Sequence, residues 1–99
     1  MLNEKILNTR SDLGSGRVFA EFYAPRCSFC RAAEPTVKAL SEEYGDTNFI
    51  KVNTDECEFA VSEFGIRSLP TFILFENGEE RSRLVGAKGV SALREMLNS

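Results

Sequence analysis

Apolar positions in the first half of the chain predict a strand, a helix and a second strand. Val18–Tyr23 is an apolar and aromatic run broken only by Glu21, which is typical of a central strand covered on both faces. In Ser28–Tyr44, apolar residues recur at helical spacing, and Gly45 follows where a C-terminal cap is expected. Asn48–Asn53 is again apolar. A strand, helix, strand unit is expected to be parallel with a right-handed crossover, so we predict an α/β core.

The second half predicts a short helix, a hairpin and a closing helix. Asn77 and Gly78 carry the hairpin signal, because both central residues of a tight two-residue turn adopt positive φ. For residues 2–13 the pattern predicts only a short helix. The remaining predicted elements are a helix over Cys57–Phe64, a turn-rich segment over Gly65–Pro70, antiparallel strands over Thr71–Phe75 and Arg81–Val85, and a helix marked by Val90, Leu93 and Leu97.

Length and composition limit the possible classes of protein. Ninety-nine residues with 42% apolar and 27% charged types predict one globular domain over residues 1–99. The net charge of −3 includes no basic cluster, so neither nucleic acid nor an anionic membrane surface is an expected partner. No apolar run approaches the roughly 18 residues of a membrane span, and the first seventeen residues lack the apolar stretch of a secretory signal. We expect a cytoplasmic monomer.

Cys27 and Cys30 lie at the predicted start of the first helix. Unpaired backbone donors and the helix dipole stabilise negative charge there, so the thiolate of Cys27 is favoured. Arg26 and Arg31 flank the pair and favour the thiolate further. Cys30 can then displace a substrate from a mixed disulfide on Cys27 and leave an intramolecular disulfide. This pattern predicts a dithiol/disulfide cycle that needs no other cofactor.

The cysteines allow two other interpretations. A structural zinc site normally requires four Cys or His ligands, but the chain has no His and only Cys57 as a further thiol, so we predict no metal. A pair of inert buried thiols conflicts with the basic neighbours. Cys57 itself is either a small buried hydrophobe or, if exposed, a regulatory or dimer-forming thiol.

Several motifs in order along the chain resemble the thioredoxin family. They are Phe22, Tyr23, Ala24 and Pro25 before the cysteines, Pro35 after them, Gly65–Thr71, and Asn77, Gly78 and Gly86. The similarity runs from about Val18 to Leu97. It implies a thioredoxin fold, with helices around a central mixed sheet of four strands, or of five if the short segment before Val18 supplies the first edge strand.

The resemblance implies roles for individual residues. Cys27 corresponds to the family's nucleophile, Cys30 to its resolving cysteine and Pro70 to its cis-proline. The backbone at Leu69 would pair with an extended substrate segment. The residues expected to bind substrate are Arg26, Phe29, Arg67, Ser68, Leu69, Pro70 and Gly86.

Glu21 interrupts an otherwise apolar strand. If it is buried there, desolvation raises its pKa, which suits a group that exchanges a proton with Cys30. The family usually has an acid here as proton acceptor, and Lys51 matches the family's lysine that faces it and would moderate the shift. The alternative is that Glu21 lies at a strand edge in water.

The active-site sequence departs from the family's usual pattern. Arg26 replaces the usual Trp, and Ser28 and Phe29 replace Gly and Pro. Because a stabilised Cys27 thiolate stabilises the reduced form, we predict a somewhat less reducing couple. The leading prediction is an enzyme that reduces protein disulfides and is recharged by a thioredoxin reductase-like donor. The alternatives are a partner-specific redox protein with weak general activity and a non-catalytic binding module.

Overall fold

The sheet is built around the apolar run at residues 18–23. The computed structural model describes residues 1–99. Its strands are β1 Leu2–Glu4, β2 Arg17–Tyr23, β3 Asn48–Asn53, β4 Thr71–Glu76 and β5 Glu79–Val85. They lie in the order β1-β3-β2-β4-β5, so β2 is central. β1, β3 and β2 run parallel, and β4 pairs antiparallel with both β2 and β5. The predicted α/β architecture and the central strand are confirmed.

Three helices pack against this sheet. They are α1 Ser28–Glu43, α2 Glu58–Phe64 and α3 Val90–Asn98. α1 ends one residue earlier than predicted, because Tyr44 rather than Gly45 is its C-cap. α2 ends at Phe64 and is capped by Gly65, whose φ of 61° is the left-handed conformation that favours glycine after a helix end. The helices therefore lie within a residue or two of the predicted segments.

The two faces of the sheet carry separate apolar cores. One core joins the sheet to α1 and α3, where Phe19 and Phe49 stack with ring centroids 4.8 Å apart. The other joins the sheet to α2 and to the segment before β2, with Phe22 and Phe64 in contact. β2 contributes to both cores, which explains why its sequence is apolar almost without interruption.

The prediction of a helix over residues 2–13 is wrong. Leu2–Glu4 pairs with β3 as a parallel edge strand, so the sheet has the fifth strand that the sequence left open. The segment Arg10–Leu13 forms one short 3-10 helix. Asp12 holds its start, because its carboxylate accepts hydrogen bonds from the N–H groups of Asn8 and Thr9 at 2.8 and 3.1 Å.

Three loops meet at one end of the sheet. Thr71 at the start of β4 pairs with Phe22 near the end of β2 and with Val85 at the end of β5. The segments that follow β2, precede β4 and follow β5 therefore lie side by side. The Gly86 N–H donates to the Pro70 carbonyl at 2.8 Å and fixes two of these segments together. The fold thus gathers the cysteine loop, the Pro70 loop and Gly86 at one edge.

Candidate active site

Cys27 and Cys30 occupy the head of α1. Cys27 is the N-cap, and its sulfur accepts a hydrogen bond from the Cys30 N–H at 3.2 Å. The two cysteines form a disulfide, with Cα atoms 5.2 Å apart. Cys30 is 2% exposed, whereas Cys27 is only half-buried. Cys27 is therefore the member of the pair that a large partner can reach.

Glu21 lies inside the protein beneath this pair. It is 2% exposed, and its Oε1 atom has no hydrogen-bond partner. Burial, followed by the negative charge of Glu34, raises the pKa of Glu21 to about 7, while the positive charge of Lys51 acts in the opposite direction. The predicted desolvation is confirmed, and the alternative of a solvated strand edge is wrong because β2 is the central strand.

Lys51 is the register partner of Glu21 on β3, but it binds other groups. Its Nζ donates to Glu34 Oε1 at 2.5 Å and lies 4.0 Å from Glu4 Oε1. The same ammonium lies 5.1 Å from the centre of the Tyr23 ring. Glu34 was not singled out from the sequence. Its spacing of four residues from Cys30 was the available signal, since such residues share one side of a helix.

A small cavity joins the buried acid to the buried cysteine. Its volume is about 210 Å³. It is lined by Glu21, Tyr23, Ala24, Pro25, Cys30, Arg31, Glu34 and Lys51. A cavity of this size can hold water molecules beside the Glu21 carboxyl group. Glu21 and Cys30 therefore share one enclosed space beneath the disulfide.

The other predicted site residues form the rim around the cysteines. Phe29, in the first turn of α1, is 63% exposed. Arg67 and Ser68 are exposed, Leu69 is half-buried and Pro70 is buried. The Leu69–Pro70 peptide bond is cis, as the resemblance implied. The backbone ahead of β4 and the Phe29 ring are thus both available to a bound chain.

The basic neighbours of Cys27 have partners of their own. Nη1 of Arg26 lies 2.9 and 2.6 Å from the two carboxylate oxygens of Asp55, and the Arg26 side chain is 73% exposed. Arg31 donates to the Pro25 carbonyl at 2.5 Å. Asp55 therefore offsets part of the charge that the sequence analysis assigned to the activation of Cys27.

Cys57 is packed in the core. Its thiol donates to the Leu7 carbonyl at 2.9 Å, and its sulfur accepts from the Leu7 N–H at 3.4 Å. The structure thus favours the packing interpretation over an exposed regulatory thiol.

No three His, Cys, Asp or Glu side chains are grouped so that they could bind a metal ion. None of the helices has the length and apolar character needed to cross a bilayer.

A disulfide at a helix head, with a buried acid and a shared cavity behind its second sulfur, defines a dithiol/disulfide exchange site. The thioredoxin family model matches residues 3–99. Thioredoxin from Porphyra purpurea is 40% identical over 82 residues, which cover 82% of this chain and 77% of that protein. Thioredoxin Asp f 28 from Aspergillus fumigatus is 39% identical over 85 residues, which cover 86% and 79% of the two chains.

Solved structures show the same similarity. The reduced Schistosoma mansoni thioredoxin preprotein superposes with a TM-score of 0.86 at 31% identity, over 98% of this chain and 95% of that one. Fasciola hepatica thioredoxin gives a TM-score of 0.81 at 31% identity, over 89% and 84%. The chain belongs to the thioredoxin family. It has the α/β thioredoxin fold and is a thiol-disulfide oxidoreductase that reduces protein disulfides. Thioredoxins are in turn reduced by thioredoxin reductase.

Proposed function

We propose that Cys27 attacks the substrate disulfide and that Cys30 resolves the resulting intermediate. The observation that carries this order is the unequal burial of the two cysteine residues, since Cys27 is half-buried and Cys30 is 2% exposed. The Cys30 N–H donates to the Cys27 sulfur, an arrangement that stabilises a thiolate at this position. A bulky protein disulfide reaches Cys27 first.

The proposed cycle conserves atoms and electrons. The Cys27 thiolate forms a bond to one substrate sulfur, and the substrate disulfide breaks to release the first thiolate. Cys30 then loses its proton to the Glu21 carboxylate through the shared cavity and attacks the Cys27 sulfur. The second substrate sulfur leaves as a thiolate, and the Cys27–Cys30 disulfide holds the two oxidising equivalents. A thioredoxin reductase-like donor returns two electrons, and the proton held by Glu21 goes back to Cys30.

Substrate is proposed to bind across the rim. An extended segment would pair with the backbone at Leu69, which lies just before β4 begins. Phe29 would supply apolar contact, and Gly86 would let the chain approach closely, since it has no side chain beside the Pro70 loop. The charged side chains Arg26 and Arg67 would then bias the choice of substrate.

Reduction of insulin by a small dithiol tests the proposed order. With catalytic amounts of this protein, insulin reduction is expected to accelerate, and both Cys27→Ser and Cys30→Ser should abolish the acceleration. The Cys30→Ser variant should accumulate a mixed disulfide with insulin through Cys27, whereas Cys27→Ser should accumulate none. Trapping through Cys30 in the Cys27→Ser variant at an equal rate would overturn the assigned order.

A partner-specific redox protein is a second candidate. The exposed Phe29 ring and the exposed Arg26 side chain favour it, because both lie within two residues of Cys27 and stand where the family usually has Pro and Trp. Weak reduction of insulin together with fast reduction of a few cellular disulfides would support this candidate. A purely non-catalytic module has no need for the disulfide or for the buried Glu21.

The cellular location and the monomeric state stay predictions. Among the relatives are chloroplastic proteins, such as thioredoxin M-type of Triticum aestivum, as well as proteins whose names give no compartment. Similarity to the family therefore does not test the cytoplasmic location that the sequence predicts.

A further inference from the structure

Lys51 has three acidic neighbours and binds one of them. Across the parallel strands, Glu4, Lys51 and Glu21 are register partners in a single row. Glu34 approaches the same ammonium from α1. The Lys51 Nζ donates to Glu34 at 2.5 Å, lies 4.0 Å from Glu4 and makes no ion pair with Glu21. The lysine beside the buried acid is therefore held by a helix carboxylate.

We propose that Glu34 is a positioning residue for proton transfer at Cys30: by holding the Lys51 ammonium, it prevents Lys51 from forming an ion pair with Glu21. The inference rests on the role of Glu21 proposed above. It extends that role to a residue outside the cysteine loop, and the residue it names lines the same cavity as Glu21 and Cys30.

Glu34 affects Glu21 in two ways, and both raise the pKa of Glu21. An ammonium within hydrogen-bond distance would favour the charged form of a buried carboxyl group, and Glu34 keeps the ammonium elsewhere. The carboxylate of Glu34 also repels a second negative charge at Glu21, and its charge raises the pKa of Glu21. Both effects help Glu21 to retain a proton until neutral pH.

The remaining surroundings of Glu21 do not replace Glu34. Its register partner on β4 is the apolar Phe72. Glu4 on β1 is the other acid in the row, and its hydrogen bonds come from the Tyr23 hydroxyl at 2.6 and 2.7 Å. The Arg31 guanidinium on α1 binds the Pro25 carbonyl. Lys51 is thus the cation in register with Glu21, and Glu34 is the group that holds it.

This arrangement suits a group that must both take and return a proton. Such a group works best when it titrates near the working pH. If Lys51 were bound to Glu21, the carboxylate would stay ionised and would be a weaker base towards the Cys30 thiol. Glu34 therefore keeps the pKa of Glu21 near the working pH, although Lys51 lies next to Glu21 in the sheet.

Side-chain carboxyl titration tests the inference directly. The oxidised protein, labelled with ¹³C at the Glu side chains, is titrated by NMR from pH 4 to 10, with the Glu21 signal assigned from a Glu21→Gln variant. In Glu34→Gln, the Glu21 midpoint is expected to fall by about one pH unit, because Lys51 is released and one negative charge is lost. Glu34→Asp, which keeps the charge, should restore part of that fall.

Glu43→Gln is the matched control. Glu43 lies on the same helix and forms an ion pair with Arg94, so this variant also loses one charge and one pair. It should move the Glu21 midpoint by less than about 0.2 unit, because distant exposed charges are screened. In a Lys51→Met background, Glu34→Gln should lower the Glu21 midpoint by less than it does in the presence of Lys51, because only the loss of the Glu34 charge then acts on Glu21.

An unchanged or higher Glu21 midpoint in both Glu34→Gln and Glu34→Ala overturns the inference. An equal fall in Glu43→Gln also overturns it, because the effect would then be a general one of charge. The rate at which Cys30 resolves a mixed disulfide, measured against pH in the same variants, separates the two proposals. A shifted midpoint with an unchanged rate profile would show that Glu34 sets the pKa of Glu21, but it would overturn both the proton role of Glu21 and the role of Glu34 in proton transfer at Cys30.

Discussion

Glu21 and Lys51 face each other in register on adjacent parallel strands, yet the Lys51 ammonium donates its hydrogen bond to Glu34. The buried acid is consequently left with an unpartnered oxygen. A buried, unpaired carboxyl group is costly to ionise and readily keeps its proton. The separation of these two neighbouring charged residues therefore suits Glu21 to the proton exchange with Cys30 that we propose.

Glu21 should make the stability of the protein depend on pH. Its pKa is about 7 in the folded chain, above the ordinary 4.5, so the folded state binds more protons than the unfolded state between these values. The free energy of unfolding should therefore fall as pH rises from 4.5 to 7, by about 3 kcal/mol from this group alone. Urea denaturation of the wild type and of Glu21→Gln at pH 5 and pH 8 measures this change.

The Glu21→Gln variant should lack that loss and become the more stable form at pH 8. Other charged groups contribute equally to the pH dependence of both proteins. The difference between the two pH dependences therefore reports the contribution of Glu21. Equal pH dependence in the two proteins would show that Glu21 is ionised in the folded state over the whole range.

Release of Arg26 from Asp55 should make the couple less reducing. In Asp55→Asn, the guanidinium is free to stabilise the Cys27 thiolate, and one negative charge near it is removed. Because the pair is exposed and worth about 0.2–1 kcal/mol, the potential should rise by about 5–20 mV. Equilibration with glutathione buffers measures it, and Arg26→Ala should move the potential in the opposite direction.

A control for this charge effect is Glu63→Gln, which releases Arg10 from another exposed ion pair elsewhere on the surface. It should leave the potential unchanged. If the potential of Glu63→Gln rose as much as that of Asp55→Asn, the effect would be due to net charge and not to Arg26. A fall in Asp55→Asn would contradict the influence of Arg26 on Cys27.

Phe29 should contribute to the binding of protein substrates but not to the binding of small disulfides. The ring is 63% exposed beside Cys27, so Phe29→Ala removes apolar contact area without disturbing the core. We expect KM for insulin to rise about fivefold, which corresponds to about 1 kcal/mol for a modest contact residue. Turnover of hydroxyethyl disulfide should stay the same. Ile6→Ala removes a similarly exposed side chain outside the rim and should change neither value.

Cys57 should be inert in the native protein. It is buried and exchanges two hydrogen bonds with the Leu7 backbone. In the folded, oxidised protein, iodoacetamide should leave it unmodified, whereas modification should be complete in 6 M guanidinium chloride. Mass spectrometry counts the added groups. Rapid labelling without denaturant would instead revive the regulatory interpretation.

The sequence predicted the long elements and the chemistry of the cysteines, because apolar periodicity and the spacing of Cys27 and Cys30 are local signals. It left the fifth strand open and did not locate β1, since three residues are too few to show a period. Asp12 caps the 3-10 helix only in the folded loop. The cis bond before Pro70 was available only through the family resemblance. No local pattern distinguishes it from the common trans form.

The partners of the charged residues could not be read locally. Glu34 and Asp55 resemble ordinary solvated side chains in the sequence. Their contacts with Lys51 and Arg26 join residues 17 and 29 positions apart. Only the packing of α1 on the sheet, and of the loop after β3 beside the cysteines, creates these pairs. The electrostatic tuning of the site is therefore a tertiary property, although the reactive atoms are visible in the sequence.

The central claim is that the sulfur of Cys27, at the head of α1, is an anion near neutral pH. It is tested most directly by the rate of iodoacetamide alkylation of the reduced protein as a function of pH, followed by mass spectrometry of the Cys27 peptide. We predict a half-maximal rate below pH 7.5, about one unit under an ordinary cysteine at about 8.5. A half-maximal rate at pH 8.5 or above would contradict the account.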